Sequence, residues 1–287
     1  MEGTIAVPGG RVWFQRIGGG PGRPLLVVHG GPGLPHNYLA PLRRLSDERE
    51  VIFWDQLGCG NSACPSDVDL WTMNRSVAEM ATVAEALALT RFHIFSHSWG
   101  GMLAQQYVLD KAPDAVSLTI ANSTASIPEF SASLVSLKSC LDVATRSAID
   151  RHEAAGTTHS AEYQAAIRTW NETYLCRTRP WPRELTEAFA NMGIRDLRDD
   201  VWAQRLSHRW ECSRSGTVVD RLADIAVPTL LVVGRFDECS PEHMREMQGR
   251  IAGSRLEFFE SSSHMPFIEE PARFDRVMRE FLRLHDI

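Results

Sequence analysis

The sequence predicts an α/β fold: a mostly parallel, doubly wound sheet with an inserted helical cap. Three observations carry this. Short apolar runs bounded by turn residues alternate with helix-spaced segments in the first part of the chain. The alternation stops between about Ser123 and Gly216, where the pattern is helical and no strong strand is visible. It then resumes to the last residues. The expected boundaries are a core of residues 1–122 and 217–287 and a cap of residues 123–216.

Each element has a local reason. TIAV and RVWFQRI, split by Pro8-Gly9-Gly10, predict an opening hairpin. LLVVH (25–29) and VIFWD (51–55) are continuous apolar runs, as strands buried on both faces are. Between them NYLAPLRRLS has helical spacing, with Pro41 expected in the first turn because proline lacks the N–H an interior position donates. GGGPG (18–22) lacks the Lys-Ser/Thr of a phosphate loop and reads as a turn. SVAEMATVAEALAL (76–89) predicts a helix opened by a capping box from Ser76 to Glu79. FHIFS (92–96) predicts a strand, GGMLAQQYVLDKA a helix and SLTIAN (117–122) a strand. Beyond the insertion come the strand TLLVVG (229–234), the helix PEHMREMQGRI, the strand LEFFE (256–260) and a helix from Pro271.

The bulk numbers exclude several classes. The 287 residues suit one α/β domain with an insertion, and 44% hydrophobic with 23% charged residues implies a packed core. A net charge of −6 without a basic run gives nucleic-acid binding no electrostatic support. No apolar run approaches the ~18 residues of a membrane span, and no secretory leader is visible, so the expected location is cytoplasmic. The six cysteines show no C-x-x-C spacing and are expected to be free thiols.

FSHSWGG (95–101) carries the chemistry. A nucleophile elbow is a sharp strand-to-helix turn that needs small residues two before and two after the nucleophile. Ser98 meets this with Ser96 and Gly100, whereas Ser96 would need a small residue at Ile94. Ser98 also falls between the predicted strand and helix. His97 is a poor base for it, because consecutive side chains at a tight elbow point apart; it is expected to line the cleft or the sheet edge. In α/β-hydrolases the order along the chain is serine, acid, histidine. Asp237, just past TLLVVG, and His264, just past LEFFE, supply the acid and the base in that order. HGGPG (29–33) follows its strand directly, so the backbone N–H groups of Gly31 and Trp99 are the expected oxyanion hole. On these residues alone a Gly-rich turn with an ordinary serine remains the bland alternative; three partners in order weigh against it.

HGGPG, DQLGCGNS (55–62), HSWGGMLAQQY (97–107), VPTLLVVGRFDE (227–238) and SSSHMPFIEEP (261–271) resemble the proline iminopeptidase and amino-acid amidase group of α/β-hydrolases. RHEAAGTT, EYQAAI and CRTRPWPREL extend the resemblance into the insertion. It implies a cofactor-free enzyme, a helical cap over the site, and release of an N-terminal residue, often proline, from a short peptide or amide through an acyl-enzyme. No metal is expected either, since His152-Glu153 lacks a second histidine at zincin spacing. The resemblance also implies two carboxylates that bind the substrate's free ammonium: Glu238, directly after the acid, and Glu211 in RWECSRSG. An amine losing its hydration needs such paired charge. Two other readings stand beside this one. An esterase or acyl hydrolase would use the same triad on a small, secondary-metabolite-like substrate. A binding protein on a hydrolase scaffold would not react at Ser98.

Overall fold

The computed structural model describes residues 1–111, 113–192 and 216–286. Among these, eight strands form one sheet: β1 (Glu2–Val7), β2 (Gly10–Ile17), β3 (Gly22–Val28), β4 (Arg49–Trp54), β5 (Phe92–His97), β6 (Ala115–Ala121), β7 (Thr229–Gly234) and β8 (Arg255–Phe259). Their order is β1-β2-β4-β3-β5-β6-β7-β8. β2 pairs antiparallel with both its neighbours, and from β4 to β8 every pairing is parallel.

Two apolar cores explain the unbroken hydrophobic runs. Successive strand residues face opposite sides of the sheet. Leu26, Val28, Ile52, Trp54, Leu231 and Val233 enter one core. Leu25, Val27, Val51, Phe53, Leu230 and Val232 enter the other. The first face is covered by α1 (Met73–Ala86), α2 (Trp99–Lys111) and, beyond the insertion, a helix at Pro241–Arg250. The second is covered by 3-10 turns over His36–Asp47 and the C-terminal helix Pro271–Leu284. That last helix buries Phe274, Val277, Met278, Phe281 and Leu282, the i, i+3, i+4, i+7, i+8 stripe of an amphipathic helix.

Two local expectations are corrected. The N-cap of α1 is Thr72, whose hydroxyl accepts from Arg75 N–H, four residues before the expected Ser76. Ser76 instead donates to Thr72 O, and Glu79 is buried, accepting from Leu57 N–H and pairing with Arg75. Pro41 lies inside the His36–Asp47 segment and not in its first turn. Tight 3-10 turns replace the regular α-helix there, so the missing N–H breaks no long ladder.

The insertion contributes α3 (Ile127–Ser139), α4 (Val143–Ala154), α5 (Ala161–Trp170) and α6 (Arg183–Ala190). With these introduced, Pro241–Arg250 is α7, Pro266–Glu269 is α8 and Pro271–Leu284 is α9. The chain leaves and rejoins the sheet region at one place, where Ser126 and Thr217 form an antiparallel bridge. Ile127 N–H donates to Gly216 O at 3.0 Å, and Val218 N–H to Ala125 O at 2.9 Å. α6 seats Leu185 and Ala188 in the second core.

Far from the C-terminal strand ends, the starts of β3, β4 and β5 converge on Asp286. Its Oδ1 accepts from Arg23 N–H at 2.9 Å, Arg49 Nη1 at 3.0 Å and His93 Nε2 at 3.0 Å; Oδ2 accepts from Arg49 Nη2 at 3.1 Å. The Arg49 side chain is 1% exposed. Burial pushes His93 down to about 4, so it is neutral at pH 7 and accepts from the Ser117 hydroxyl through Nδ1. Burial would raise the Asp286 carboxyl, but its hydrogen bonds from Arg49, His93 and Arg23 N–H hold it at about 2.

Candidate active site

β5 ends at His97 and α2 begins at Trp99, leaving Ser98 alone at the turn with φ +55°. Such a left-handed backbone at a non-glycine residue is strained and is held by its surroundings. Ser98 N–H donates to Ala121 O at 3.0 Å. The small flanking residues have a visible cause. A Cβ at Gly100 would lie 2.3 Å from Val28 O, so only glycine lets α2 approach β3 this closely. Ser96 fits the other small position, and its hydroxyl donates to Thr119 O on β6 at 2.7 Å.

Asp237 and His264 lie past the ends of β7 and β8 and meet there, both buried. His264 Nδ1–H donates to Asp237 Oδ1 at 2.7 Å. A carboxylate only accepts, so Nδ1 carries the proton and Nε2 is the basic nitrogen. Burial lowers the pKa of His264, but Asp237, through its charge and hydrogen bond, together with Glu238 and Glu269, outweighs it and holds the value above the ordinary one.

Two further residues fix this pair, and neither was singled out in the sequence. Asn122, at φ +51° just beyond β6, donates through Nδ2 to Asp237 Oδ2 at 2.6 Å and to Ser263 O at 3.3 Å. Its position at a strand's C-terminal end was the available signal. Glu269, at the end of α8, accepts from Ser263 N–H at 2.8 Å, the Ser263 hydroxyl at 2.9 Å and Met265 N–H at 3.1 Å, bracketing His264. It also accepts from Arg177 N–H in the insertion at 2.8 Å.

Ser98, His264, Gly31 and Glu238 share the wall of one cavity of about 210 Å³, with Leu34, Leu175, Phe189, Met192 and Met265 as its apolar lining. The Glu238 side chain is 19% exposed, and its Oε1 lies 3.9 Å from His264 Nε2. Trp170 Nε1–H, from α5, donates to its Oε2 at 3.2 Å. Burial raises the Glu238 carboxyl above its ordinary value, with Asp237 adding to the rise and His264 and Trp170 opposing it. Trp99 is the first residue of α2, and its indole donates to Gln56 Oε1 at 3.1 Å. Gln56 Nε2 in turn donates to His29 O at 2.8 Å, tying DQLG and HGGPG to the elbow. Glu211 lies outside the described residues.

Three clusters with metal-ligand chemistry exist among the described residues, and several of their donor atoms are engaged. In His29-Asp55-Cys59 the histidine Nε2 accepts from Gln56 N–H, while Asp55 accepts from His36 and from Asn61 N–H. Asp237 and His264 in the second cluster bind each other. In Glu129-His243-Glu246 the histidine accepts from Ala125 N–H through Nε2, so the Nδ1 facing Glu129 carries hydrogen. Among the described cysteines, Cys59, Cys64, Cys140, Cys176 and Cys239 are all free. No helix among the described residues is long and apolar enough to cross a membrane.

The α/β hydrolase fold family matches residues 23–271. A proline iminopeptidase of Heyndrickxia coagulans is 35% identical over 282 residues, covering 98% of each chain. The crystal structure of a Mycobacterium smegmatis proline iminopeptidase superposes with a TM-score of 0.85 at 32% identity, over 100% of this chain and 99% of that one. The crystal structure of VinJ gives a TM-score of 0.89 at 29% identity, over 99% of each chain. A match of this identity along essentially the whole length, insertion included, goes beyond a shared fold: the chain belongs to the proline iminopeptidase group of the α/β-hydrolase family.

Proposed function

We propose that the protein is a serine hydrolase that releases an N-terminal amino acid, proline or similar, from a small peptide or amino-acid amide through an acyl-enzyme. The observation that carries this reading is the buried His264–Asp237 hydrogen bond of 2.7 Å beside a cavity that Ser98, His264 and Glu238 line together. Ser98 attacks the carbonyl carbon while His264 Nε2 takes its proton. Asp237 holds the imidazole in the Nδ1–H tautomer and stabilises the imidazolium. The backbone N–H groups of Gly31 and Trp99 receive the oxyanion. His264 then protonates the leaving amine, and water repeats the sequence on the acyl-enzyme.

Glu238 is the proposed seat of the substrate's free ammonium, with Trp170 orienting the carboxylate. Glu211 is proposed as the second carboxylate on the family resemblance alone. Residues 123–216 are the proposed cap and residues 1–122 and 217–287 the core, a division supported by the Ser126–Thr217 bridge. A panel of aminoacyl arylamides, their N-acetylated forms and aryl esters tests the reading. The free-amine arylamides are expected to turn over, and acetylation to abolish it. Equal cleavage of acetylated substrates would remove the amine site. Turnover of esters alone would assign an acyl hydrolase.

A further inference from the structure

His97 directly precedes the nucleophile, yet its ring is occupied on both sides. Its Nε2 lies 2.8 Å from His264 O, and its Nδ1 lies 2.9 Å from the Tyr38 hydroxyl. Tyr38 Oη in turn accepts from Gly30 N–H at 2.7 Å. All three side chains and Gly30 are buried. The ends of this chain fix its direction, because a backbone N–H only donates and a carbonyl only accepts. His97 Nε2 must carry the proton it gives to His264 O. Nδ1 is then the acceptor, and the Tyr38 hydroxyl donates to it. Burial, with His264 nearby, pushes the His97 pKa well below the ordinary value, so the ring is neutral as the pattern requires. The His97 ring also packs against the His264 ring, with centroids 4.6 Å apart and planes at 61°.

The chain joins three segments that act on one substrate carbonyl. Gly30 belongs to the loop expected to polarise it, His97 to the elbow, and His264 to the loop that carries the base. The first two meet without slack: a Cβ at Gly30 would lie 2.8 Å from Ser98 Cβ and 2.9 Å from the Tyr38 hydroxyl. We propose that His97, acting through Tyr38 and the His264 carbonyl, is a positioning residue that holds the oxyanion loop, the nucleophile and the base in one register. The inference rests on the serine-hydrolase reading. His97 takes no proton from Ser98. It sets where His264 stands relative to Gly30, and displacement of a catalytic group by about 1 Å can cost a factor of about 100 in rate.

The test is the rate at which a fluorophosphonate labels Ser98, compared among wild type, His97→Asn, His97→Gln and Tyr38→Phe, with folding checked by thermal unfolding. The glutamine amide reaches the place of Nε2 and can still donate to His264 O; the asparagine amide stops near Nδ1 and cannot. His97→Asn is expected to label about 10–100-fold more slowly, mostly in the inactivation step and not in probe binding, and His97→Gln to recover most of that loss. Wild-type labelling by His97→Asn, or equal losses in the two variants, overturns the proposal. If His97→Asn does not fold, Tyr38→Phe decides: slower labelling of a folded protein is expected, and an unchanged rate overturns the role. A wild-type protein that never labels removes the serine-hydrolase reading and this inference together.

Discussion

Replacing Asp286 by alanine tests whether the fold and the site are anchored at opposite ends of the sheet. The carboxylate receives both Arg49 guanidinium bonds, the His93 ring and Arg23 N–H. Arg49 retains only a 3.2 Å bond to Arg23 O among its described hydrogen bonds once the carboxylate is gone, and its side chain is 1% exposed. Stranding one partner of a buried pair costs about 3–5 kcal/mol; water reaching the position of the partly exposed carboxylate favours the lower end, about 3 kcal/mol. At about 2–4 °C per kcal/mol for a domain of this order, the thermal midpoint should fall by roughly 6–12 °C. Asp286→Asn keeps one acceptor and should lie between. The sign with pH follows from the depressed carboxyl, drawn to about 2 from 3.8. Its stabilisation is present above the unfolded value and lost as pH falls through the folded one, so wild type and variant should converge in acid. Scanning calorimetry at pH 7 and in acid measures both effects. Activity per folded molecule should be unchanged, because these groups sit at strand starts and the proposed catalytic groups past strand ends. A midpoint shift below about 2 °C would refute the dependence of Arg49 on this carboxylate.

Three further outcomes concern the site. In the proposed mechanism His264 must be neutral to accept the Ser98 proton, and its pKa is raised, so kcat/KM should fall on acidification through a midpoint above the ordinary histidine value of 6.5. A pH–rate profile with its midpoint at or below that value contradicts the arrangement. Asn122→Gly keeps the φ of +51° accessible while removing the donor to Asp237. Losing a hydrogen bond to a charged group, about 1.5–3 kcal/mol, should lower kcat/KM about 10–100-fold, and unaltered kinetics would show that Asp237 needs no such support. Glu238→Gln should raise KM for free-amine arylamides about tenfold or more and move the His264 midpoint down, since Glu238 helps hold it up. Identical KM values in variant and wild type would dissociate Glu238 from the amine.

What could be read from the sequence depended on whether its cause was local. Strands β3, β4 and β7 announced themselves because their central stretches, Leu25–Val28, Val51–Trp54 and Leu230–Val233, are buried on both faces and are apolar throughout. The elbow was legible because Ser96 and Gly100 answer a steric demand within five residues, and the meeting of Asp237 with His264 could be anticipated from their places past strand ends. The cap of α1 was misplaced because Ser76 and Glu79 satisfy a local pattern, while Glu79 is engaged with Leu57 through a contact that only the folded chain makes. Tyr38, Asn122 and Glu269 stayed hidden for the same reason: each serves a partner supplied by another segment of the fold. Glu238 was distinguishable from a solvated surface acid only through the family resemblance. His97 was read as no base for Ser98, but its two hydrogen-bond partners lie on different segments and were not predictable from its neighbours.

The bridge between Ser126 and Thr217 has a consequence for how such an enzyme can change its diet. The two ends of the insertion sit about one strand spacing, roughly 5 Å, apart. A different lid of similar footprint could be spliced at this seam without stretching the sheet, since a longer loop adds only about 0.6 kcal/mol of closure entropy per doubling. The graft would have to restore the apolar cover that Leu185 and Ala188 give the second core and the Arg177 bond to Glu269. With those docking points supplied, the proposed cap becomes an exchangeable part that reshapes the cavity wall, while Ser98, Asp237 and His264 stay on the sheet.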